Sequence, residues 1–442
     1  MSKLAILGGK PVIEKGHPEL FQWPIVNEKM LKDVQEVLLT GNMSGTDISR
    51  RFEEGFAKWQ KRKYALSHNN GTNALTAAFY GAGLGPGDEL ICTTLTYWAS
   101  CLGALSLGAS VVFCDVDPVT LQMDPASFEE RITPRTKAVV VVHYKAMPCD
   151  MDRIMAIAKK HRLKVIEDVS HAQGGHYKGK MLGTFGDVAA MSLMSGKSFA
   201  IGEGGMLVTD DEEIYRRAVR FGHYDRIHSC YKKEEFADTL SLPVGGLKNR
   251  MHQMSSAVGL VQLEKYEKER REIDRAMKYF WKKVSDIPGL TKVYPKEKGS
   301  DKAGWYASHF MYDSEAFSGV SNKTFCEALT RECGTTVFPG ANMPLHYSSL
   351  FSSFDIYGHG RPTAKLYLPK GVDPRKLSGK LPVAEKAGGT VINDLWFKHC
   401  DKEAIDRYAE AFHKVAKYHR DLLKINDTDR ITGSIAFTKR KH

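Results

Sequence analysis

The chain has 442 residues, of which 42% are hydrophobic and 26% charged, with a formal net charge of +11 at pH 7. That length exceeds one typical core and predicts two domains of ordinary globular composition. No apolar run approaches the ~20 residues needed to cross a bilayer, and the first residues carry no long apolar signal region, so a cytoplasmic protein with no membrane partner is expected. The cysteines at 92, 101, 114, 149, 230, 326, 333 and 400 form no Cys-x-x-Cys pair. They read as free thiols of a reducing compartment, with no metal site. Cations alternate with acids, as in Glu264-Lys265-Tyr266-Glu267-Lys268-Glu269, which suits a solvated helix better than a phosphate-tracking stripe. Nucleic acid is therefore not an expected partner, although 438–442 is a basic block.

Amphipathic helices are predicted over 27–40 and 47–63, around a turn at 41–45. A strand over 64–67 leads into a helical pattern over 73–83, stopped by Gly85-Pro86-Gly87-Asp88. Next come a strand at 89–93, a helix at 98–107, a strand at 110–115 and a helix at 125–132. The valine run at 137–143 suits a strand buried on both faces. A helix at 150–161 and strands at 164–168, 188–193 and 205–209 complete the pattern. Strands alternating with helices predict an α/β fold, with a mainly parallel sheet sandwiched by helices. A long helix near 252–283 then crosses to a smaller α+β region, in which 353–379 reads as a long inserted loop. The chain divides on this reading into a large domain with an N-terminal arm (1–270), a small C-terminal domain (271–425) and a basic tail (426–442).

Candidate polar residues repeatedly follow strand ends, where α/β sheets bind ligands. Lys197 sits in Met191-Ser192-Leu193-Met194-Ser195-Gly196-Lys197, an apolar run feeding a small-residue loop. Alone, a lysine in such a loop is a solvated surface residue. It is also the kind of amine that forms a Schiff base with an aldehyde cofactor, as pyridoxal 5′-phosphate is held. Asp168 ends a buried strand, where an unpaired carboxylate is costly; a structural ion pair and a cationic pyridinium are both suitable partners. His171, three residues on, is placed to contact the ring. Asn70-Gly71-Thr72 opens a helix directly after a strand, which is either a plain Thr72 cap or an anion site. Ser192 can add a hydroxyl to the same phosphate, and Tyr97 either stacks on a cofactor or packs in the core.

Together these motifs resemble the DegT/DnrJ/EryC1/StrS family of fold type I pyridoxal-phosphate-dependent aminotransferases, over roughly residues 5–425. Asn70-Gly71-Thr72, Glu167-Asp168-x-x-His171, Ser192-x-x-x-x-Lys197, Gly202-Glu203-Gly204-Gly205, Asn249-Arg250-Met251 and Pro344-Leu345-His346 match in order and spacing. The resemblance implies that Lys197 is catalytic and that Asp168 holds the ring nitrogen, with Tyr97 and His171 against the ring. It places Gly71, Thr72 and Ser192 on the phosphate and His346 on the substrate. It also implies a homodimer with active sites at the interface, so that Lys248 or Asn249 reaches the neighbour's cofactor. Two departures stand out. Lys248 occupies a position where relatives commonly have asparagine, and Met194 occupies one where a histidine is frequent. The Met194-Ser195-Gly196-Lys197 form, with the opening Leu4-Ala5-Ile6-Leu7-Gly8-Gly9, is similar to the branch of scyllo-inosose aminotransferases and aminohydroxybenzoate synthases. The implied reaction moves an amino group from glutamine or glutamate to a keto-cyclitol or keto-sugar by a ping-pong mechanism. A nucleotide-linked 4-keto-sugar aminotransferase and a non-catalytic cofactor-binding regulator are the alternatives. Lys197 itself argues against the family's dehydratases, which replace the lysine with histidine.

Overall fold

A computed structural model of the chain describes residues 4–235, 239–240 and 242–425; the basic block at 438–442 and the tail from 426 lie outside them. Helices α1 (Glu28–Leu39) and α2 (Asp47–Gln60) come first. Then follow β1 (Tyr64–His68), α3 (Gly71–Gly81), β2 (Glu89–Thr93), α4 (Gly103–Ser106), β3 (Ser110–Cys114), α5 (Pro125–Glu130), β4 (Thr136–Val142), α6 (Met151–His161) and β5 (Lys164–Asp168). The hairpin β6 (His176–Tyr177) and β7 (Lys180–Met181) precedes β8 (Val188–Ser192) and β9 (Gly205–Thr209). Among the described residues, β1-β9-β8-β5-β4-β2-β3 form a seven-stranded sheet in that order. Only β9 runs against its neighbours; β2, β3, β4, β5 and β8 pair in parallel. The sheet is therefore mainly parallel, as the strand–helix alternation predicts.

The valine run lands in the middle of this sheet as β4, between β5 and β2. Val139, Val140 and Val141 are fully buried, as a strand covered by helices on both faces requires. The helix expected over 98–107 breaks instead into a 3-10 turn at Trp98–Ser100 and the short α4. Two tertiary contacts explain the break. Ser100 turns its hydroxyl onto Asp168, and Gly103 lies so close to α3 that a Cβ would come within 2.3 Å of Thr76 Oγ1.

Helices α7 (Glu212–Gly222), α8 (Ile227–Cys230) and α9 (Gln253–Lys283) follow. The 31 residues of α9 span about 46 Å at 1.5 Å per residue. Its first half packs beside the sheet: Gly259 lets Phe52 of α2 approach, since a Cβ there would meet the ring at 2.6 Å. Its second half sends Ile273, Met277, Phe280 and Trp281 into another core. That core is built on β10 (Leu290–Lys292), β11 (His309–Tyr312), α10 (Asn322–Cys333), β12 (Val391–Asn393) and α13 (Lys402–Lys417). Its three strands are antiparallel.

Two segments attach elsewhere than their place in the chain suggests. The N-terminal residues Leu4, Ile13 and Leu20 enter the core of the C-terminal unit, and the Glu332 carboxylate of α10 accepts from Ala5 N and Val12 N at 2.8 and 3.0 Å. The stretch expected as an inserted loop over 353–379 is not a free loop. It contains α11 (Pro374–Ser378), which lies ahead of α12 (Pro382–Lys386), and it covers the edge strand β3. Ser110 Oγ donates to Ala364 O at 2.6 Å, and Phe113 N donates to Ser378 Oγ at 2.9 Å. An exposed edge strand has unpaired backbone groups to satisfy, and this segment satisfies one of them, Phe113 N.

Candidate active site

The ends of β1, β5 and β8 converge at one side of the sheet. Asp168 closes β5 and is 4% exposed; Lys197, five residues beyond the end of β8, is 8% exposed. The Asp168 carboxylate accepts Ser100 Oγ at 2.7 Å and Ser170 N at 3.0 Å, and Ser100 is in turn bonded to Thr96 at 2.7 Å. Among the described residues neither Asp168 nor Lys197 belongs to an ion pair. A buried carboxylate met only by neutral donors is costly unless a cation completes it.

The lysine loop is braced on several sides. Lys197 N donates to Met194 O at 2.8 Å, and Ser195 N to Gly202 O at 2.8 Å. The next residue, Ser198, donates to Gln173 Oε1 at 2.7 Å and accepts from Tyr266 of α9 at 3.1 Å. Trp23 of the N-terminal arm donates its indole N–H to Lys197 O at 2.8 Å.

At the start of α3 the cap is Asn70, whose side chain accepts Asn73 N at 2.8 Å. The plain Thr72 cap is thereby excluded, and Thr72 is half-buried with its hydroxyl outside the capping bond. Gly71 meets Ser192 so closely that a Cβ would fall 2.6 Å from the serine Cβ. The start of α3 at Gly71 and Thr72 thus lies against Ser192, and a helix N-terminus suits an anion by its N–H groups and dipole.

His171 is half-buried, and its Nδ1 accepts Lys145 N at 3.2 Å, which assigns the proton of the neutral ring to Nε2. Burial, then the charges of Lys197 and Lys145, hold its pKa well below the ordinary histidine value. Tyr97 is 40% exposed and begins the turn that carries Ser100 to Asp168. The structure separates the two candidates of the 246–250 loop. Lys248 is exposed, whereas Asn249 is 1% exposed, with both side-chain amide atoms buried and unpartnered. Asn249 packs against Gly222, so its side chain faces its own protomer. His346 is held at the edge of the sheet, by Thr94 after β2 at 2.9 Å and by Glu385 at 3.3 Å. It opens on a cavity of about 400 Å³ whose wall includes Arg375 and Ser378, and no contact joins it to Lys197.

Other residues reach the site without a signal near the expected motifs. Tyr306 lies under the amine, with Lys197 Nζ 4.3 Å from its ring centroid, and its ring is 4.6 Å from that of His171. Lys145 follows β4 with φ of 52°, next to Ala146 at 59°, a costly left-handed pair for residues other than glycine. Its amine donates to Asn393 of β12, and burial lowers its pKa to about 8. Trp-Tyr at 305–306 after Ala303-Gly304 is the one local hint, and it lies over a hundred residues from Lys197.

Residues 24–371 match the model of the DegT/DnrJ/EryC1/StrS aminotransferase family. A putative L-glutamine:3-amino-2,3-dideoxy-scyllo-inosose aminotransferase of Streptoalloteichus tenebrarius is 30% identical over 428 residues, covering 94% of this chain and 98% of its own. A GDP-perosamine synthase of Escherichia coli O157:H7 is 35% identical over 311 residues, 70% of this chain and 80% of its own. The X-ray structure of an aminotransferase from Psychrobacter cryohalolentis superposes with a TM-score of 0.76 at 28% identity, over 90% of this chain and 99% of that one. The fold is that of the fold type I transferases, with the large mainly parallel sheet the sequence predicts.

Proposed function

This chain belongs to the DegT/DnrJ/EryC1/StrS aminotransferase family, and from that premise we propose that it binds pyridoxal 5′-phosphate and moves an amino group from glutamine or glutamate to a ketone on a cyclitol or sugar ring. The observation that carries the proposal is the pair formed by Lys197 and Asp168. A buried amine and a buried carboxylate, neither in an ion pair, sit at the ends of β8 and β5 beside an anion cup. This donor set fits the cofactor: an amine for its aldehyde, a carboxylate for its ring nitrogen, and N–H groups with hydroxyls for its phosphate.

When bound, the cofactor supplies an aldehyde that takes up an amino group and a ring that stores an electron pair. Lys197 would hold it covalently, and its freed amine would take and return a proton at Nζ. Asp168, kept in place by Ser100 and Ser170, would hold the proton of the ring nitrogen. Gly71, Thr72 and Ser192 would hold the phosphate, Tyr97 would cover the ring, and His171 would offer its Nε2–H. We assign the exposed Lys248 to a partner's phosphate in a homodimer with shared sites.

Relatives support the ring-ketone acceptor, and the scyllo-inosose type spans nearly the full chain. The perosamine synthase favours a second reading, a nucleotide-linked keto-sugar, over a shorter part. Adding glutamine or glutamate to the cofactor-loaded protein should change its visible absorbance, and scyllo-inosose or a dTDP-linked 4-keto-sugar should then reverse the change. Double-reciprocal plots should run parallel; converging lines would count against the mechanism. Reversal by the nucleotide sugar alone would decide for the second reading.

A further inference from the structure

Four half-buried rings from separate parts of the chain, Trp23, His171, Tyr306 and Trp396, form a string of contacts that starts at Lys197, where Tyr306 meets the amine and Trp23 the carbonyl. Beyond the contacts of Tyr306 with Lys197 and His171, Trp396 meets Tyr306 edge-on, at 5.6 Å and 88°. Trp23 lies 6.1 Å from Trp396. Half-open rings beside a buried amine offer contact area to a small molecule.

Its presentation is over-determined. Ala303, Trp305 and Ala307 have φ of 48°, 59° and 53°, and left-handed residues other than glycine persist only where the surroundings enforce them. Trp305 anchors the segment, donating its indole N–H to Asp274 at 3.0 Å and meeting Trp281 edge-on at 4.8 Å. Gly304 presses against the lysine loop, where a Cβ would fall 2.3 Å from Ser198 Cβ. Trp396 donates to Gly304 O at 2.9 Å, and Lys398 Nζ braces its ring at 3.0 Å from the centroid. The strained segment thus delivers Tyr306 over the amine and ties it to Trp396.

We propose that Tyr306 and Trp396, set at a right angle, form the aromatic platform for the acceptor's six-membered ring, one against its C–H face and the other against its edge. The inference rests on the ring-ketone reading of the previous section. A ring bearing equatorial hydroxyls has apolar C–H faces and a polar rim, and an aromatic face covers the first without stripping water from the second.

The test uses the cofactor-loaded protein and scyllo-inosamine, the aminated counterpart of scyllo-inosose. Titration calorimetry should show binding, and saturation-transfer NMR should carry signal from aromatic protons to the ring C–H protons. Trp396→Leu and Tyr306→Leu should each weaken binding by about tenfold, the scale of one aromatic contact. Trp396→Phe should stay within about threefold of wild type, a rescue that a merely structural role would not predict for a lost indole N–H. Circular dichroism checks the fold of each variant. Leucine variants that bind as tightly as wild type overturn the platform and leave the proposed reaction standing. Absence of aromatic-to-ring saturation transfer in the wild-type complex overturns it without any variant. Wild-type protein that ignores the aminocyclitol but binds a dTDP-linked amino sugar overturns the cyclitol acceptor, and the platform with it when no saturation passes from aromatic protons to that sugar's ring protons.

Discussion

Glu167 precedes Asp168 and has no route to the cofactor, yet its replacement tests how the sheet holds the site. Its carboxylate is completely buried and accepts four donors: Phe185 N and Gly186 N at 2.7 Å on Oε1, Gly183 N at 2.8 Å and His143 Nε2 at 3.1 Å on Oε2. Glu167→Ala strands all four. At about 1–3 kcal/mol for each buried donor left unmade, the loss is about 4–12 kcal/mol, comparable with the whole stability of a typical domain. Glu167→Gln keeps one oxygen for two donors and sets an NH₂ against the other two, a loss of about 2–6 kcal/mol. Urea unfolding followed by tryptophan fluorescence measures the difference.

The pH dependence follows from the same contacts. Burial raises the Glu167 pKa, but His143 and the N–H groups of Gly186 and Gly183 outweigh it and hold the carboxyl below its ordinary 4.5. A depressed folded-state value means stability that is fully present above the unfolded pKa and lost as pH falls through the folded one. His143, raised to about 9, despite its burial, by contacts that include Glu167, contributes stability that is full below about 6.5 and lost as pH rises through 9. The gap between wild type and Glu167→Gln should therefore be widest between about pH 4.5 and 6.5 and narrow on both sides. A glutamine variant within about 1 kcal/mol of wild type at pH 7, or a gap independent of pH, would refute the reasoning.

Lys197→Ala should remove the visible band of the bound cofactor and cut amino transfer by more than about a thousandfold; a tenth of the wild-type rate in a glutamine-consumption assay would be incompatible with its role. Gly71→Ala drives a Cβ into Ser192, so overpacking of about 1–3 kcal/mol should appear as roughly tenfold weaker cofactor binding in an absorbance titration. Lys248→Ala should speed cofactor release on dialysis, by an amount consistent with about 1.5–3 kcal/mol for a bond to a charged phosphate. Asn249→Ala should change thermal stability instead; the opposite pattern would return the phosphate contact to Asn249.

The sequence by itself determined where the candidate residues that belong to single strand–helix units lie. Asp168 with His171, Ser192 with Lys197, and Asn70 with Gly71 and Thr72 each lie within a few residues of a strand end. Strand periodicity and turn chemistry are local, and parallel α/β sheets bind at those ends. The same locality made the valines of β4 readable as a central strand. Tertiary structure decided what fills the remaining faces. It broke the helix expected over 98–107, because Ser100 bonds Asp168 and Gly103 packs on Thr76, partners no local pattern reveals. It laid 353–379 along β3, whose unpaired edge needed covering, and it buried Asn249 while leaving Lys248 exposed. It also brought Trp23 and Tyr306 to Lys197, and Trp396 to Tyr306, from distant parts of the chain. Packing, unlike periodicity, depends on which surfaces remain open once the sheet has formed, and that is settled only in three dimensions.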